Sequence, residues 1–453
     1  MGKFVAQDFS QGPVLKHLIN ISIPMILAML VQVCYNLIDR IYLGHLDNAA
    51  AGALTGLGLS FPFISIVMAF TNLFATGGAP LFAINRGKQD LDTAFKILNT
   101  TYTLILIFSV FIVILSYLFL KPLLYTFGAS DLSYPFARDY LAIYILGTPC
   151  VMLSSGLNGF INAQGFSKIA MLSVMSGALI NLILDPLFIF TFDLGIKGAA
   201  FASVLAQMFS AWWVLRFLVG KKSLIKLQLT RFLFDLKLSR QIVALGISGF
   251  TMQGTNALVQ IICNITLKAY GGDIYIGIMT ILVSVREVLF LPMRGVQDAS
   301  KPIVAFNFGA GKVSRIMQCL KLTTISTFSY LFICWLIIFF NPEFVFKIFS
   351  DDLSTLNLGV EAMHIYFFGF FMMALHGTGQ SFFVALGKAK QATFFALFRK
   401  AIIVVPLTIL LPMIGNLGVN GVFMAEPISN IASGLCCYVT MLFTLKLLFK
   451  EHS

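Results

Sequence analysis

Apolar runs of twenty or more residues recur along the whole chain. Each is long enough for a helix to cross the ~30 Å hydrocarbon core of a bilayer. Such a segment is helical, because lipid offers no partner for an unpaired N–H or C=O. A membrane β-barrel would show segments of about ten alternating residues instead, a pattern the chain lacks. Composition agrees with a lipid solvent. Of 453 residues 58% are hydrophobic and 11% charged, with mean hydropathy +0.90, where a soluble domain carries about 25% charged residues.

Twelve spans are predicted, at roughly 14–43, 53–78, 93–120, 135–162, 167–191, 196–219, 240–270, 274–298, 313–340, 358–384, 390–413 and 418–447. The formal charge of +12 does not point to nucleic acid, because Lys and Arg gather in the short loops of one side. Those loops hold Arg86, Lys88, Lys168, Lys312, Arg315, Lys388 and Lys390, and the longest, 220–239, holds Lys221, Lys222, Lys226, Arg231 and Lys237. The opposite loops carry Asp47, Asp131, Asp193, Asp273, Asp351 and Asp352. This asymmetry predicts a multi-pass protein of a bacterial inner membrane with both termini cytoplasmic. The first run, Val14–Leu43, is too long for the core of a cleavable signal peptide. The seven cysteines fall in or beside apolar runs without metal spacing and are expected to be buried thiols.

The stretch 220–239 separates an N-terminal lobe, 1–219, from a C-terminal lobe, 240–453, and the two repeat. LVQVCYNLIDRIYLG around Gln32 answers LVQIICNITLKAYGG around Gln260. Pro80–Asn85 recurs as Pro302–Asn307, and Ala163-Gln164-Gly165 as Ala385-Leu386-Gly387. Asp185-Pro186-Leu187 lies opposite Val405-Pro406-Leu407, and Leu194–Gly198 opposite Leu417–Gly421. Each half has an even number of spans, so the halves are parallel repeats about an axis along the membrane normal. A central cleft between them is the expected binding site.

Polar groups inside spans need a reason, since a charge at mid-depth costs about 2.5–3.5 kcal/mol on insertion scales. Gln32, Asn36 and Asp39 share one helical face. Asn181 and Asp185 lie one turn apart, and Pro186 after them removes a backbone hydrogen bond and invites a bend. By rise per residue, Asp39, Asp185, Tyr140 and Ser203 fall within roughly 6–11 Å of the outer boundary. The acids have no repeat counterparts: Asp39 corresponds to Leu267 and Asp185 to Val405. Two such carboxylates repel. The pair is expected to hold a proton, or Na⁺ bound by Asp39, Asn181 and Asp185. The plainer alternative is that each acid is satisfied locally or by Arg40. In the C-terminal lobe Gln253, Asn256, Gln260 and Asn264 form a polar stripe. Glu287 could attract a cationic substrate, or simply pair with Arg286 to hold helices together. Glu426, Arg399, His364 and His376 also lie within spans. Gly52-x-x-x-Gly56 is a helix-packing motif.

The patterns Tyr35-Asn36-x-x-Asp39-x-x-x-x-Gly44 and Asn181-x-x-x-Asp185-Pro186 resemble the multidrug and toxic compound extrusion (MATE) family, near its MepA-like bacterial branch. So does the duplicated Pro80…Asn85-x-Gly87 segment, and the likeness spans nearly the whole chain. The resemblance implies an all-α polytopic fold of twelve transmembrane helices in two six-helix lobes set in a V. It also implies a monomeric secondary antiporter that exports amphipathic or cationic organic compounds in exchange for H⁺ or Na⁺, without a further cofactor. By position, Asp39, Tyr140, Asn181, Asp185 and Ser203 match the family's N-lobe cation site. Gln32, Asn36 and the C-terminal stripe with Glu287 would then line the substrate cavity, with Pro186 as a conformational element.

A flippase for lipid-linked substrates shares the superfamily fold and is the alternative. The N-lobe acids argue against the cationic cavity it would need. No H-E-x-x-H or G-x-S-x-G motif supports a membrane-embedded enzyme, and two unlike lobes do not make a symmetric channel filter.

Overall fold

A computed structural model of the chain describes residues 6–44, 46, 50–230, 232–349, 353–415 and 417–450. Asp47, Arg231, Asp351 and Asp352, read above as loop charges, lie outside the described residues. The helices are α1 (Val14–Gly44), α2 (Ala50–Gly87), α3 (Leu91–Leu118), α4 (Leu120–Thr126), α5 (Tyr134–Leu146), α6 (Thr148–Ala163), α7 (Ser167–Pro186) and α8 (Gly195–Val219). They continue as α9 (Leu236–Gly271), α10 (Asp273–Gly309), α11 (Val313–Phe340), α12 (Pro342–Lys347), α13 (Leu353–Tyr366), α14 (Met373–Ala385), α15 (Ala389–Leu397), α16 (Val405–Leu410) and α17 (Gly418–Lys450). Among the described residues ten helices are long and apolar enough to cross a membrane, and two bent pairs raise the number to twelve. The predicted twelve-span, all-helical architecture is what folds.

The bent pairs are one device used twice. α5 and α6 meet at 54°, and α13 and α14 at 43° across a short 3₁₀ turn. Gly147 at the first break stands eighteen residues before Gly165, and Gly369 at the second stands eighteen before Gly387. Gly369 has φ +68, which a side chain would strain. The α7 region repeats as well. α7 ends on Pro186 and runs into a π-helical turn, Leu187–Thr191, while a π-helical turn at Phe398–Val404 leads into Val405-Pro406. π-turns inside helices gather at functional sites.

Two compact units result: Met1–Gly12 with Ile23–Gly246, and Pro13–Ser22 with Ile247–Ser453. The segment read as a linker is tied to the first unit. Gln164 Oε1 accepts hydrogen bonds from Ser223 Oγ at 3.0 Å, Leu224 N at 2.7 Å and Ile225 N at 3.1 Å. Asn99 Oδ1 accepts from Gln228 N at 2.9 Å. Asp90 caps α3 by accepting from Thr93 N at 3.0 Å, a bond that holds its carboxyl below the usual range. In the first unit α2 packs on α3, α5 and α6, and α8 on α5, α6 and α7. In the second, α17 packs on α13 and α14, and α10 on α11 and α14. Outward faces stay apolar, as lipid requires: Ile107, Phe111, Ile114 and Leu118 of α3 are all exposed. All seven cysteines are free, and Cys34 and Cys436 are exposed rather than buried as expected, lying in helices α1 and α17.

Lipid gives helices no hydrophobic drive to associate, so close backbone approach carries the packing. The Gly52/Gly56 pair supplies it between α2 and α5. A Cβ on Gly56 would lie 2.8 Å from the Phe136 carbonyl carbon, and one on Gly52 2.6 Å from the Phe136 ring. One turn after Phe136 comes Tyr140, in a core cluster with Leu43, Leu57 and Ile189. Gly56→Leu is therefore expected to cost about 1–3 kcal/mol or more by overpacking and to push Tyr140 out of place. A lowered thermal unfolding temperature in detergent would report it; an unchanged one would mean that α5 simply shifts.

Candidate functional site

Six helices of the first unit, α1, α2, α5, α6, α7 and α8, surround a cavity of about 280 Å³. α1 contributes Gln32, Tyr35, Asn36, Asp39 and Arg40. This is the face that the i, i+4, i+7 spacing selected, wound by an apolar helix whose other positions meet lipid or core. α5 adds Tyr140 and Tyr144, stacked with ring centroids 5.8 Å apart. Serines line much of the remainder: Ser154 and Ser155 of α6, Ser173 of α7, and Ser203 and Ser210 of α8.

The predicted cation-coupling residues converge. Asp39 and Asn181 line the cavity, and Asp185 lies within electrostatic reach of Asp39. Tyr35 is within reach of both acids, and the Tyr140 hydroxyl lies against Ser203. Asp185 itself is not a lining residue. It is 1% exposed and sits one turn beyond Asn181, whose Nδ2 donates to its Oδ1 at 2.9 Å. Among the described residues neither acid has an ion-pair partner within 4 Å, and the Arg40 guanidinium lies over the Phe61 ring, 5.0 Å from its centroid. Two buried acceptors are left without a donor, Asp39 Oδ1 and Asn181 Oδ1. A buried polar atom without a partner costs about 1–3 kcal/mol. Both orphans are acceptor oxygens, so a hydrogen-bond donor or a bound cation would satisfy them, and the Asp39 carboxylate could also take a proton. No group of three or more His, Cys, Asp or Glu side chains suited to a metal ion occurs among the described residues.

The second unit holds a different site. Glu426, 4% exposed, receives Arg399 Nη1 at 3.0 Å, Arg286 Nη1 at 3.3 Å and Lys400 Nζ at 3.3 Å. Arg286 also donates to the Tyr366 hydroxyl at 2.7 Å, and Arg399 to Asn430 at 3.3 Å. Glu287 is held between Arg286 at 3.3 Å and Arg294 at 3.2 Å, and since all three lie on α10 these pairs do not tie one helix to another. On α9, Gln253 and Asn264 are half-buried and Asn256 and Gln260 exposed, in the unit that does not hold the cavity. His364 meets the Phe339 carbonyl at 3.1 Å, and His376 is buried with Nδ1 unpartnered.

Tyr144, Ser173, Gln207, Ser210 and Lys400 were missed by reading the sequence. Tyr140–Tyr144, Ser173–Asn181 and Ser203–Gln207–Ser210 each recur at helical spacing, the rule that worked on α1. Lys400 was a mid-span charge in plain view.

A family profile described as MatE matches residues 24–187 and 250–410, one stretch in each half. The chain belongs to the MatE family. It is 24% identical over 444 residues to the multidrug export protein MepA of Staphylococcus haemolyticus, covering 97% of this chain and 95% of that one. The solved structure of MATE in the bent conformation superposes with TM-score 0.92 at 21% identity over 99% of both chains. An outward-facing multidrug resistance MATE transporter gives TM-score 0.89 at 21% identity, over 98% of each. This MATE protein is a multi-pass membrane transporter and not an enzyme, and these likenesses do not favour the flippase reading.

Proposed function

We propose that the protein exports amphipathic, often cationic organic compounds from the cytoplasm, driven by H⁺ or Na⁺ entering at the N-terminal cavity. The observation that carries this reading is the pair of buried, donorless oxygens on Asp39 and Asn181, set beside a second carboxylate. Multidrug export is what the staphylococcal relative is named for. The protein would act as a monomer in the bacterial inner membrane, its basic loops and both termini cytoplasmic. Asp39, Asn181 and Asp185 would hold the coupling cation, with Tyr140 and Ser203 closing the shell. Gln32 and Asn36 would meet substrate from α1, and Gln253, Asn256, Gln260, Asn264 and Glu287 from the second unit. Ethidium-loaded vesicles, exposed first to a pH gradient and then to a Na⁺ gradient, test the whole reading. Efflux driven by one gradient supports it and names the ion; efflux driven by neither removes it.

Pro186 would couple the cation to substrate. A cation on the donorless oxygens ends the repulsion between Asp39 and Asp185, letting α1 repack toward α7 and narrow the cavity. The proline and the π-turn after it supply the backbone give. A ligand shifts such an equilibrium only by its differential affinity for the two shapes. Pro186→Ala is thus expected to preserve substrate affinity at one pH while flattening its dependence on pH. Superimposable affinity curves for wild type and variant, from mildly acid to mildly alkaline solution, would exclude the proline as the coupling element.

A further inference from the structure

We propose that the cluster of Arg286, Arg399 and Lys400 around Glu426 in the C-terminal unit is a binding site for an anionic oxygen group such as a carboxylate. It would be borne by a transported amphiphile or supplied as a free anion. The inference rests on reading the chain as an exporter of organic amphiphiles, and it adds that part of its substrate range is zwitterionic or acidic.

The charge balance comes first. Lys400 is 3% exposed and Arg399 8%, and both share with Arg286 the single buried carboxylate of Glu426. Glu287 does not redress the surplus, because it divides itself between Arg286 and Arg294. Three largely buried basic side chains therefore share one buried carboxylate, while Glu287 and Arg294 stand half-exposed beside them, and donors outnumber acceptors where an unpaired polar group is costly.

The donors are also under-used. Lys400 reaches only Glu426, at 3.3 and 3.4 Å, where a charge-assisted bond closes to about 2.7–2.9 Å. Arg286 Nε is buried with no acceptor at all. Both of Arg399's bonds leave from Nη1. Adjacent residues of an α-helix do not share a face, yet Arg399 and Lys400 converge on one carboxylate. The π-helical turn Phe398–Val404 carries both.

The repeat places this cluster where the first unit has its cavity. Glu426 stands eight residues after Gly418, and Ser203 eight after Gly195. Asn430 stands twelve after Gly418, and Gln207 twelve after Gly195. Tyr366 precedes Gly387 by twenty-one residues, as Tyr144 precedes Gly165. Ser203, Gln207 and Tyr144 all line the N-terminal cavity. The same scaffold positions carry surplus acceptors in one unit and surplus donors in the other. Glu287 and Arg294, 46% and 45% exposed, lead from the surface to the buried group. Glu287 is thus an internal anion that a ligand would have to displace.

The test uses the full chain in lipid nanodiscs and two probes, tetramethylrhodamine and its methyl ester. These share ring and cation and differ by one carboxylate. Wild type is expected to bind the acid at least about tenfold more tightly than the ester, the discrimination expected of one charged hydrogen-bond partner. Lys400→Gln leaves two guanidinium groups on Glu426 and is expected to abolish that preference without weakening the ester. Glu287→Gln frees Arg286 and Arg294 and is expected to strengthen the acid. Excess acetate distinguishes the sources: displacement of the acid but not the ester makes a free anion sufficient, and no displacement assigns the site to the amphiphile's own carboxylate. Absent binding of the acid, equal binding of acid and ester, or parallel losses for both probes in Lys400→Gln, would overturn the proposal. Equilibrium binding needs no gradient, so a failure of ion coupling would not be mistaken for a failure of this site.

Discussion

Asp39→Asn and Asp185→Asn are each expected to reduce ion-driven ethidium efflux to the level of vesicles without the protein, while both variants insert and fold. Asparagine keeps the shape of aspartate and removes the charge, so packing in the first unit survives. Asp185→Asn retains an oxygen to accept from Asn181, whose Nδ2 now donates at 2.9 Å. Asp39→Asn goes further, because a neutral amide then stands permanently where the carboxylate would take up and release its cation. It would imitate the occupied site permanently. A transporter whose occupied state cannot be emptied no longer exchanges anything. Efflux at wild-type rates from both variants, with unchanged unfolding temperatures, would refute the assignment. Loss of efflux together with loss of folding would instead return the acids to a structural role.

The spans and the repeat were legible because the bilayer punishes error so heavily. An interrupted or charged run cannot cross lipid unaided, so hydropathy and loop charge speak clearly. Asp39, Asp185, Tyr140 and Ser203 were legible for the same reason, as polar groups at matching depth, and Asn181 as the amide one turn before Asp185. What the sequence did not disclose depends on packing. A window average cannot see the breaks at Gly147 and Gly369, where both flanks are apolar. That Asp185 stands behind Asn181 instead of facing the cavity turns on one side-chain hydrogen bond. The partners of Glu426 come from α10 and from the π-turn after α15, more than a hundred and about thirty residues away. The reach of Arg294 to Glu287, two turns along α10, is likewise a matter of side-chain packing.

Glu426→Gln is expected to be the most destabilising single change in the second unit. Breaking a buried ion pair by removing one partner costs about 3–5 kcal/mol, because the other charge stays buried without compensation. Here one carboxylate serves Arg286, Arg399 and Lys400, so its loss strands Arg399 and Lys400 together and leaves Arg286 only Glu287. Removing a cation as well should restore part of the stability. Glu426→Gln with Lys400→Met is therefore expected to unfold between wild type and the single variant, although it carries two substitutions. Glu287→Gln sets the scale from the other side: its carboxylate is half-exposed, and such pairs contribute about 0–1 kcal/mol. Thermal unfolding of the four proteins in one detergent gives the comparison. The expected order is wild type and Glu287→Gln together at the top, the double variant below them, and Glu426→Gln lowest. A single variant as stable as wild type would mean that the three cations do not depend on Glu426. A double variant less stable than the single would mean that shape, not charge, holds the cluster.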